Sequence, residues 1–500
     1  MTDLSAGAGI SLAAFLAAVV YFSGAFGSFS AGSRCDRPAS PAEFFHSAST
    51  SLNTISLFVA SVTVASGIGY LLAGGQINGI LMLLVPLATL LGYRLFAAFF
   101  SKVVSPEFAR HSSFWAGSQA LVSNATGKPS ALRYVLVGPL VMIFLLFCAF
   151  ELLVASQIIE AIMIGSGSPL FQLGIAIAMF GSTLFLSWRG GVQSVFRADR
   201  IQFGGILVFA AVFAIGGWLS AGASGTPIAV TSLWLKLEAP TLITILLACL
   251  GSISTQFYST INHHVASNSA SQPQELHGVM RRASWMMAGF FSLMILIGVF
   301  SGIDWAKGLP AGVKVLIEHL PMGGAVSALV LAAVVVGLSC VTMSTLDSLM
   351  VAVTMQIYDG LLGQDSRRDD ANIEVMARIR RLMLLAFGGV IALSALAFFT
   401  KPSIFFTLLA IASGAESLAP LILLVGFLSR TPHRLAVLSN PNLWVYFVIF
   451  CSAVASNLAL SVLKPALIPY LSLTFFAISV SYSFILWTIS SKLSHGTPSS

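Results

Sequence analysis

Apolar stretches of about 20 residues, separated by short polar segments, follow one another along almost the whole chain. A helix of that length crosses the roughly 30 Å hydrocarbon core of a bilayer. The pattern therefore predicts an all-α polytopic membrane protein with about thirteen transmembrane helices, which we number α1 to α13. Their predicted ranges are roughly 7–28, 50–73, 77–100, 131–165, 169–188, 194–220, 240–262, 281–303, 322–358, 376–399, 403–429, 436–460 and 466–491.

A polar cluster interrupts the second half of α9. It contains Thr345 and a set at helical spacing, Ser344, Asp347 and Ser348, which share one helix face. A carboxylate at membrane depth is costly and is usually functional, and hydroxyls beside a carboxylate suit a small hard cation. The alternative is that the hydroxyls bond to carbonyls of their own helix and only bend it.

Small and polar residues also cluster in α2, between Ser61 and Gly75, and in α7, between Gly251 and Gln256. Such clusters weaken a transmembrane helix and permit either a break or close helix packing. We expect α7 to be interrupted between Gly251 and Ser254, with Gln256 as the amide that meets a ligand there.

Three further carboxylates lie inside predicted helices: Glu151 in α4, Asp199 near the start of α6, and Glu416 in α11. The cost of burying a charge makes each one a functional candidate. A structural pairing with a neighbouring hydroxyl or amide is the alternative for Glu151. For Asp199 the alternative is an interfacial ion pair with Arg197 or Arg200.

Composition and charge agree with a membrane protein. Hydrophobic residues make up 57% of the chain and charged residues only 9%, whereas about a quarter of the residues in soluble domains are charged. If the N-terminus lies outside, the inner side holds all but five of the 25 lysine and arginine residues. The positive-inside rule therefore predicts N-out and C-in.

Other classes of protein are excluded on similar grounds. The basic residues are divided among short loops, which excludes a nucleic-acid surface. No nucleophile–histidine–acid set, zinc motif or phosphate loop occurs, so we do not expect an enzyme. The five cysteines have neither metal-ligand nor disulfide spacing. The first apolar stretch lacks a basic n-region, and we interpret it as a retained helix.

Three segments resemble the sodium/solute symporter family, which includes the sodium–proline, sodium–glucose and sodium–sialic acid symporters. They are Ser344–Ser348 with the following Ile357-Tyr358-Asp359, the stretch from Gly190-Gly191 through Asp199 to Gln202, and Ser61–Gly69. Helix number and polarity agree as well, so the resemblance covers nearly the whole chain.

The resemblance implies a five-plus-five inverted repeat of the leucine-transporter type. An extra helix and loop (1–49) would precede the first repeat, α2–α6 (50–220). The second repeat, α7–α11 (240–429), would precede peripheral helices and a tail (430–500). The substrate site would lie at the bilayer midplane beside broken helices α2 and α7.

The resemblance also implies a main sodium site. Its ligands would be the backbone carbonyls of Val59, Val62 and Val341 together with the hydroxyls of Ser344 and Thr345. Val59 replaces the usual alanine, a change that a backbone ligand tolerates. Ser66 in α2 matches a substrate-contacting position of the family, and we add Glu151, Gln256 and Glu416 as substrate-binding candidates.

A second cation site, present in some members, would use Asp199, Ser344, Asp347 and Ser348. This chain departs from the family pattern around that site. Ala198 precedes Asp199 where a threonine is usual, Arg200 follows it, and Asn262-His263 replaces the usual Gln-Arg pair at the end of α7. Asp347 could therefore bind a proton instead of a second sodium ion.

The expected function is uptake of a small polar organic solute together with Na+, by alternating access. We expect a monomeric, multi-pass protein of the plasma (inner) membrane whose partners are the solute, Na+ and the lipid bilayer, with no nucleic acid. Two alternatives stay open: a proton-coupled transporter of the same fold, and a transporter-like solute sensor that acts with a separate partner protein.

Overall fold

The computed structural model describes residues 11–19, 38–46, 50–104, 111, 113–165, 167–223, 239–268, 273–319, 325–369, 372–400, 404–464 and 467–493. Helices account for most of these residues, and no strand occurs among them. Ten helical segments in this part of the chain are long and apolar enough to cross a membrane.

Two of those segments, Gly67–Val103 and Pro169–Gly222, are 37 and 54 residues long. One crossing needs only about 20 residues, and each segment contains parts of two predicted helices. Of predicted α1, residues 11–19 are helical and the remainder lies outside the described residues. The polytopic all-α architecture is thus confirmed, whereas the count of 13 helices and the N-out orientation stay predictions.

The observed helices begin and end close to the predicted positions. They are α2 (Thr50–Ser61, Val64–Gly69 and Tyr70–Asn78), α3 (Gly79–Leu83, Leu84–Ala98 and Phe99–Val103), α4 (Arg133–Val137 and Gly138–Met163), α5 with α6 (Pro169–Ala223), α7 (Ala239–Tyr258 and Thr260–Asn268), α8 (Pro273–Phe300), α9 (Ala325–Met355 and Gln356–Leu361), α10 (Ile373–Thr400), α11 (Ile404–Leu428), α12 (Asn440–Leu463) and α13 (Ile468–Leu493). Shorter helices, Pro41–Phe45, Phe114–Thr126 and Leu309–Glu318, connect them.

The ninth helix lies at the centre of the molecule. It is among the most buried spanning segments, at 72%, together with α4 at 72% and α11 at 78%, whereas α12 and α13 are buried to 22% and 17%. α9 packs against α2, α4, the kinked segment Pro169–Ala223 that forms α5 and α6, and α10. Its polar residues are therefore surrounded by protein, as expected for polar groups at membrane depth.

The second helix is interrupted at Val62 and Thr63. Neither residue is helical, and Thr63 is extended with φ −103° and ψ 149°. The break divides α2 into α2a (Thr50–Ser61) and α2b, which starts at Val64. It lies at the beginning of the polar cluster and not at the glycines.

The glycines further along α2 permit close packing instead. A Cβ atom on Gly75 would meet the backbone carbonyl of Ile295 in α8. In the same way, Gly298 of α8 lies against the carbonyl of Leu72 in α2b. Both alternatives foreseen for this cluster therefore occur, the break first and the close helix packing about three turns later.

The seventh helix is interrupted at Ser259, which separates α7a (Ala239–Tyr258) from α7b (Thr260–Asn268). The predicted interruption between Gly251 and Ser254 is wrong. Here Thr255 donates a hydrogen bond to the Gly251 carbonyl, and Gln256 donates one to the Ser252 carbonyl. Such bonds to the preceding turn are compatible with a continuous helix.

A single non-helical residue, Gly191, separates α5 from α6. Predicted α6 starts at residue 194, slightly too late, because the helix resumes directly after Gly191. Gly191 has φ 56° and ψ −149°, a conformation that is essentially restricted to glycine. A Cβ atom at this position would also collide with the carbonyl of Phe44 in the short helix Pro41–Phe45.

We expect Gly191→Ala to lower the free energy of unfolding by about 2 kcal/mol or more, because both the backbone conformation and the contact with Phe44 become unfavourable. Thermal denaturation of the purified protein in detergent measures the effect. Gly204→Ala is the matched control, since Gly204 is helical and has no atom within 4 Å of its Cβ position. A Tm equal to wild type for Gly191→Ala would contradict this account of the kink.

Candidate cation sites

Five oxygen atoms meet where the break in α2 faces α9. The Ser344 hydroxyl lies 3.2 Å from the carbonyl oxygen of Val59 and 2.8 Å from that of Val341. The Thr345 hydroxyl lies 3.0 Å from the carbonyl oxygen of Val62 and 3.1 Å from that of Val341. All five residues are at most 1% exposed. The structure thus brings together every residue predicted for the main sodium site.

The break in α2 explains why its carbonyls face another helix. Carbonyls in the last turn of a helix have no backbone amide four residues later to donate to them, so they need hydrogen bonds from elsewhere. The Val59 carbonyl accepts a bond of 3.2 Å from the Val62 amide, which also bonds to the Phe58 carbonyl, in addition to the contact from Ser344. Because each hydroxyl has a single proton, it can donate to only one of its two carbonyls at a time.

This cluster, which we call the α2–α9 oxygen cluster, therefore has more acceptors than protons. Three carbonyls and two hydroxyl oxygens share two hydroxyl protons. Within the described residues, no group of three or more His, Cys, Asp or Glu side chains is placed to hold a metal ion. A ligand set of neutral carbonyl and hydroxyl oxygens suits a small hard cation.

The amide side of the same break is satisfied by Glu151. Its carboxylate accepts a hydrogen bond of 2.6 Å from the backbone amide of Val64, the first residue of α2b. A negative charge at a helix N-terminus is favourable, and Glu151 is 1% exposed. One oxygen of this predicted substrate-binding residue is thus bound to the backbone of α2.

Asp199 and Asp347 lie close together in the interior, where both are 0% exposed and interact electrostatically. Asp347 accepts hydrogen bonds from the Ser348 amide at 2.6 Å and from the Gln202 side chain at 3.4 Å. In the described part of the chain, neither oxygen of Asp199 has a hydrogen-bond partner. The Ser56 hydroxyl lies beside it, outside hydrogen-bonding geometry.

The interfacial ion pair considered for Asp199 is not formed. Arg197 and Arg200 are both exposed while Asp199 between them is buried, and none of the described arginines forms a salt bridge with it. Two buried carboxylates without a cationic side chain repel each other when both are ionised. The acid pair, Asp199 and Asp347, therefore requires a proton or a bound cation.

A cavity of about 20 Å³ adjoins the acid pair, with Ser56, Ser348 and His264 in its wall. A water molecule needs roughly 10–15 Å³ of such space. His264 lies on α7b, and its Nε2 donates to the Phe45 carbonyl at 2.6 Å. The cavity therefore has room for one water molecule beside Ser56 and Ser348.

The remaining substrate candidates are placed elsewhere. Gln256 accepts a hydrogen bond of 2.8 Å from Asn262, so it bridges the break in α7. Glu416 lies on α11 against Gly251 of α7a. Neither residue is hydrogen-bonded to the α2–α9 oxygen cluster. The backbone of Ser66 lies in the first turns of α2b, and its side chain falls outside the described part of the structure.

Two neighbours of the acid pair were overlooked as site residues in the sequence. Ser56 precedes Val59 by three residues, and Gln202 follows Asp199 by three residues. Helical spacing therefore places each of them on the face of a predicted site residue. Their spacing was a usable signal, although Gln202 entered the prediction only as part of a motif and Ser56 not at all.

No family model matches the chain, and no curated protein matches its sequence. Its structure is similar to that of a Na+-coupled sialic acid symporter in a substrate-bound outward-open state. The TM-score is 0.61 at 12% identity, over 97% of this chain and 98% of that chain. It is also similar to MhsT in complex with L-phenylalanine, with a TM-score of 0.51 at 14% identity, over 89% of this chain and 99% of that chain.

At such identities the similarity shows the fold alone. The fold is that of the leucine-transporter type, which confirms the predicted architecture. The sodium/solute symporter family remains a resemblance.

We expect Asp199→Asn to stabilise the protein in sodium-free buffer at alkaline pH, by roughly 1 kcal/mol or more, because it removes one of two buried like charges. The Tm of the purified protein in a potassium buffer that contains no sodium measures the change in stability. Asp304→Asn is the control, because Asp304 is exposed and paired with Lys307. A lower Tm for Asp199→Asn than for wild type in that buffer would contradict the assignment.

Proposed function

We propose that this protein is a secondary active transporter, not an enzyme, and that it takes up a small polar organic solute together with sodium by alternating access. The observation that carries the proposal is the α2–α9 oxygen cluster. Five buried oxygen atoms from a broken helix and its neighbour share only two hydroxyl protons, and a monovalent hard cation would use the surplus lone pairs.

In this proposal sodium is a transported substrate, held by the carbonyls of Val59, Val62 and Val341 and the hydroxyls of Ser344 and Thr345. The ligands come from two helices, so bound sodium would hold α2a against α9 and fix the angle at the break. Solute bound beside that break would then meet a helix already in position. The membrane potential contributes about 2.3 kcal/mol per charge for each 100 mV.

The division into two repeats is also part of the proposal. The segments 50–220 and 240–429 would each begin with a broken helix, α2 with its break at Val62–Thr63 and α7 with its break at Ser259. The flanking segments 1–49 and 430–500 would be peripheral. We place the chain in the plasma (inner) membrane as an N-out, C-in monomer.

Proton coupling is the second candidate, and the acid pair favours it. Asp199 and Asp347 are fully buried and need one compensating positive charge, which a proton supplies as well as sodium does. Ser348, whose amide binds Asp347, would complete a second cation site if the occupant is sodium. Uptake that is insensitive to sodium but abolished by a protonophore would favour the proton.

We expect Ser344→Ala combined with Thr345→Ala to abolish sodium binding and the stabilisation that it causes, because both side-chain ligands are lost. Sodium-dependent thermal stabilisation of the purified protein and binding of radioactive sodium are the measurements. Once a solute screen has supplied a substrate, sodium-driven uptake into proteoliposomes is the third.

Thr342→Ala is the matched control. Thr342 is equally buried in α9, yet its hydroxyl bonds only to the Leu338 carbonyl of its own helix. The control should keep the sodium response of the wild type. Wild-type sodium stimulation in the Ser344→Ala, Thr345→Ala variant would exclude this cluster as the coupling site.

A further inference from the structure

Glu416 is an unpartnered carboxylate in the interior of the helix bundle. It lies on α11, is partly buried, and forms no hydrogen bond or ion pair with the residues that the structure describes. Its Oε1 approaches the backbone of α7a closely, since a Cβ atom on Gly251 would lie 2.6 Å from it. The glycine therefore provides the space in which the carboxylate sits.

Two tyrosines from the two broken helices lie near this carboxylate. Tyr70 belongs to α2b and Tyr258 is the last residue of α7a, and both interact electrostatically with Glu416. Tyr258 is only 3% exposed. A ligand placed between these three side chains would therefore touch α2, α7 and α11 together, on the far side of the α2 break from α2a.

The hydrogen bonds around Tyr258 leave lone pairs of its hydroxyl oxygen free to accept, near the Glu416 carboxylate. The Thr255 hydroxyl is 2.7 Å from the Gly251 carbonyl and 3.0 Å from the Tyr258 hydroxyl. Because Thr255 donates its one proton to the carbonyl, the Tyr258 hydroxyl donates to Thr255. The Tyr258 oxygen then offers lone pairs and an aromatic face, and Glu416 offers a negative charge.

We propose that Glu416, Tyr70 and Tyr258 bind the ammonium group of the transported solute, which makes the substrate a small organic cation. A carboxylate at this depth is costly without a positive partner, and an ammonium group supplies one. The tyrosine faces attract the same group through cation–π interaction. This inference rests on the proposed transport function and assigns the solute site apart from the α2–α9 oxygen cluster.

The experiment uses the purified full-length protein with four probes: methylammonium, tetramethylammonium, choline and 3,3-dimethyl-1-butanol. The last is an uncharged analogue of choline. Thermal stabilisation and calorimetric titration, with and without sodium, measure binding. We expect at least one of the three cations to bind the wild type, and the neutral analogue to bind roughly tenfold or more weakly than choline.

Variants assign that binding to Glu416 and Tyr258. Glu416→Gln should weaken it roughly ten- to hundredfold, because the interaction with the charged partner is lost. Tyr258→Phe should retain it, since the ring face remains, whereas Tyr258→Leu should weaken it. Gly251→Ala should weaken it by displacing the carboxylate. Glu374→Gln, an exposed carboxylate at the start of α10, is the control and should bind as the wild type does.

A cooperative thermal transition of Glu416→Gln near the wild-type Tm shows that the variant is folded. The inference is overturned if none of the three cations binds the wild type, if Glu416→Gln binds them equally well, or if the neutral analogue binds as tightly as choline. It is also overturned if Glu416→Gln removes the stabilisation by sodium but leaves the binding of the organic cations unchanged. If the organic cations bind in a way that requires Glu416, and sodium neither stabilises the protein nor changes that binding, the result supports this site and rejects the proposed sodium coupling.

Discussion

A helix that is broken inside a membrane exposes amides and carbonyls that no water is present to satisfy. The interior of this protein is arranged around that constraint at Val62 and Thr63. Glu151 from α4 accepts from the first amide of α2b. Ser344 and Thr345 from α9 bond to the carbonyls of Val59, in the last turn of α2a, and of Val62, in the break. The three helices are thereby fixed to one another by the groups that the break leaves unpaired.

The break in α7 is satisfied differently. Gln256 and Asn262 bond to each other across Ser259, so the two halves of α7 are joined by their own side chains. The α2 break depends on α4 and α9, whereas the α7 break is closed within one helix. The second half, α7b, nevertheless contacts α9 directly, because the Thr260 hydroxyl donates to the Gln356 side chain at 2.9 Å. A change in what α9 binds therefore acts on both broken helices.

The sequence predicted the membrane class, most helix bounds and the residues of the α2–α9 oxygen cluster. Hydrophobic length and the polar cluster in α9 are local properties, so they could be interpreted without knowing the neighbours. The grouping of Ser344 and Thr345 with the three carbonyls of the α2–α9 oxygen cluster came from the resemblance to the symporter family. The positions of the breaks could not be predicted, because glycine-rich segments looked weakest. The actual break in α2 lies where Glu151, 87 residues away, can satisfy a free amide. The isolation of Asp199 from its flanking arginines likewise depends on which face of α6 is buried.

Three of the five oxygens in the α2–α9 oxygen cluster belong to the backbone. Any apolar side chain at positions 59, 62 and 341 offers the same carbonyl, provided that the helix breaks at the same place. Divergence can therefore replace most side chains around such a site while its ligands persist, because only two hydroxyls are specified by residue type. In line with this, the chain shares its fold with a symporter at 12% identity over 97% of its length, while no family model matches the sequence.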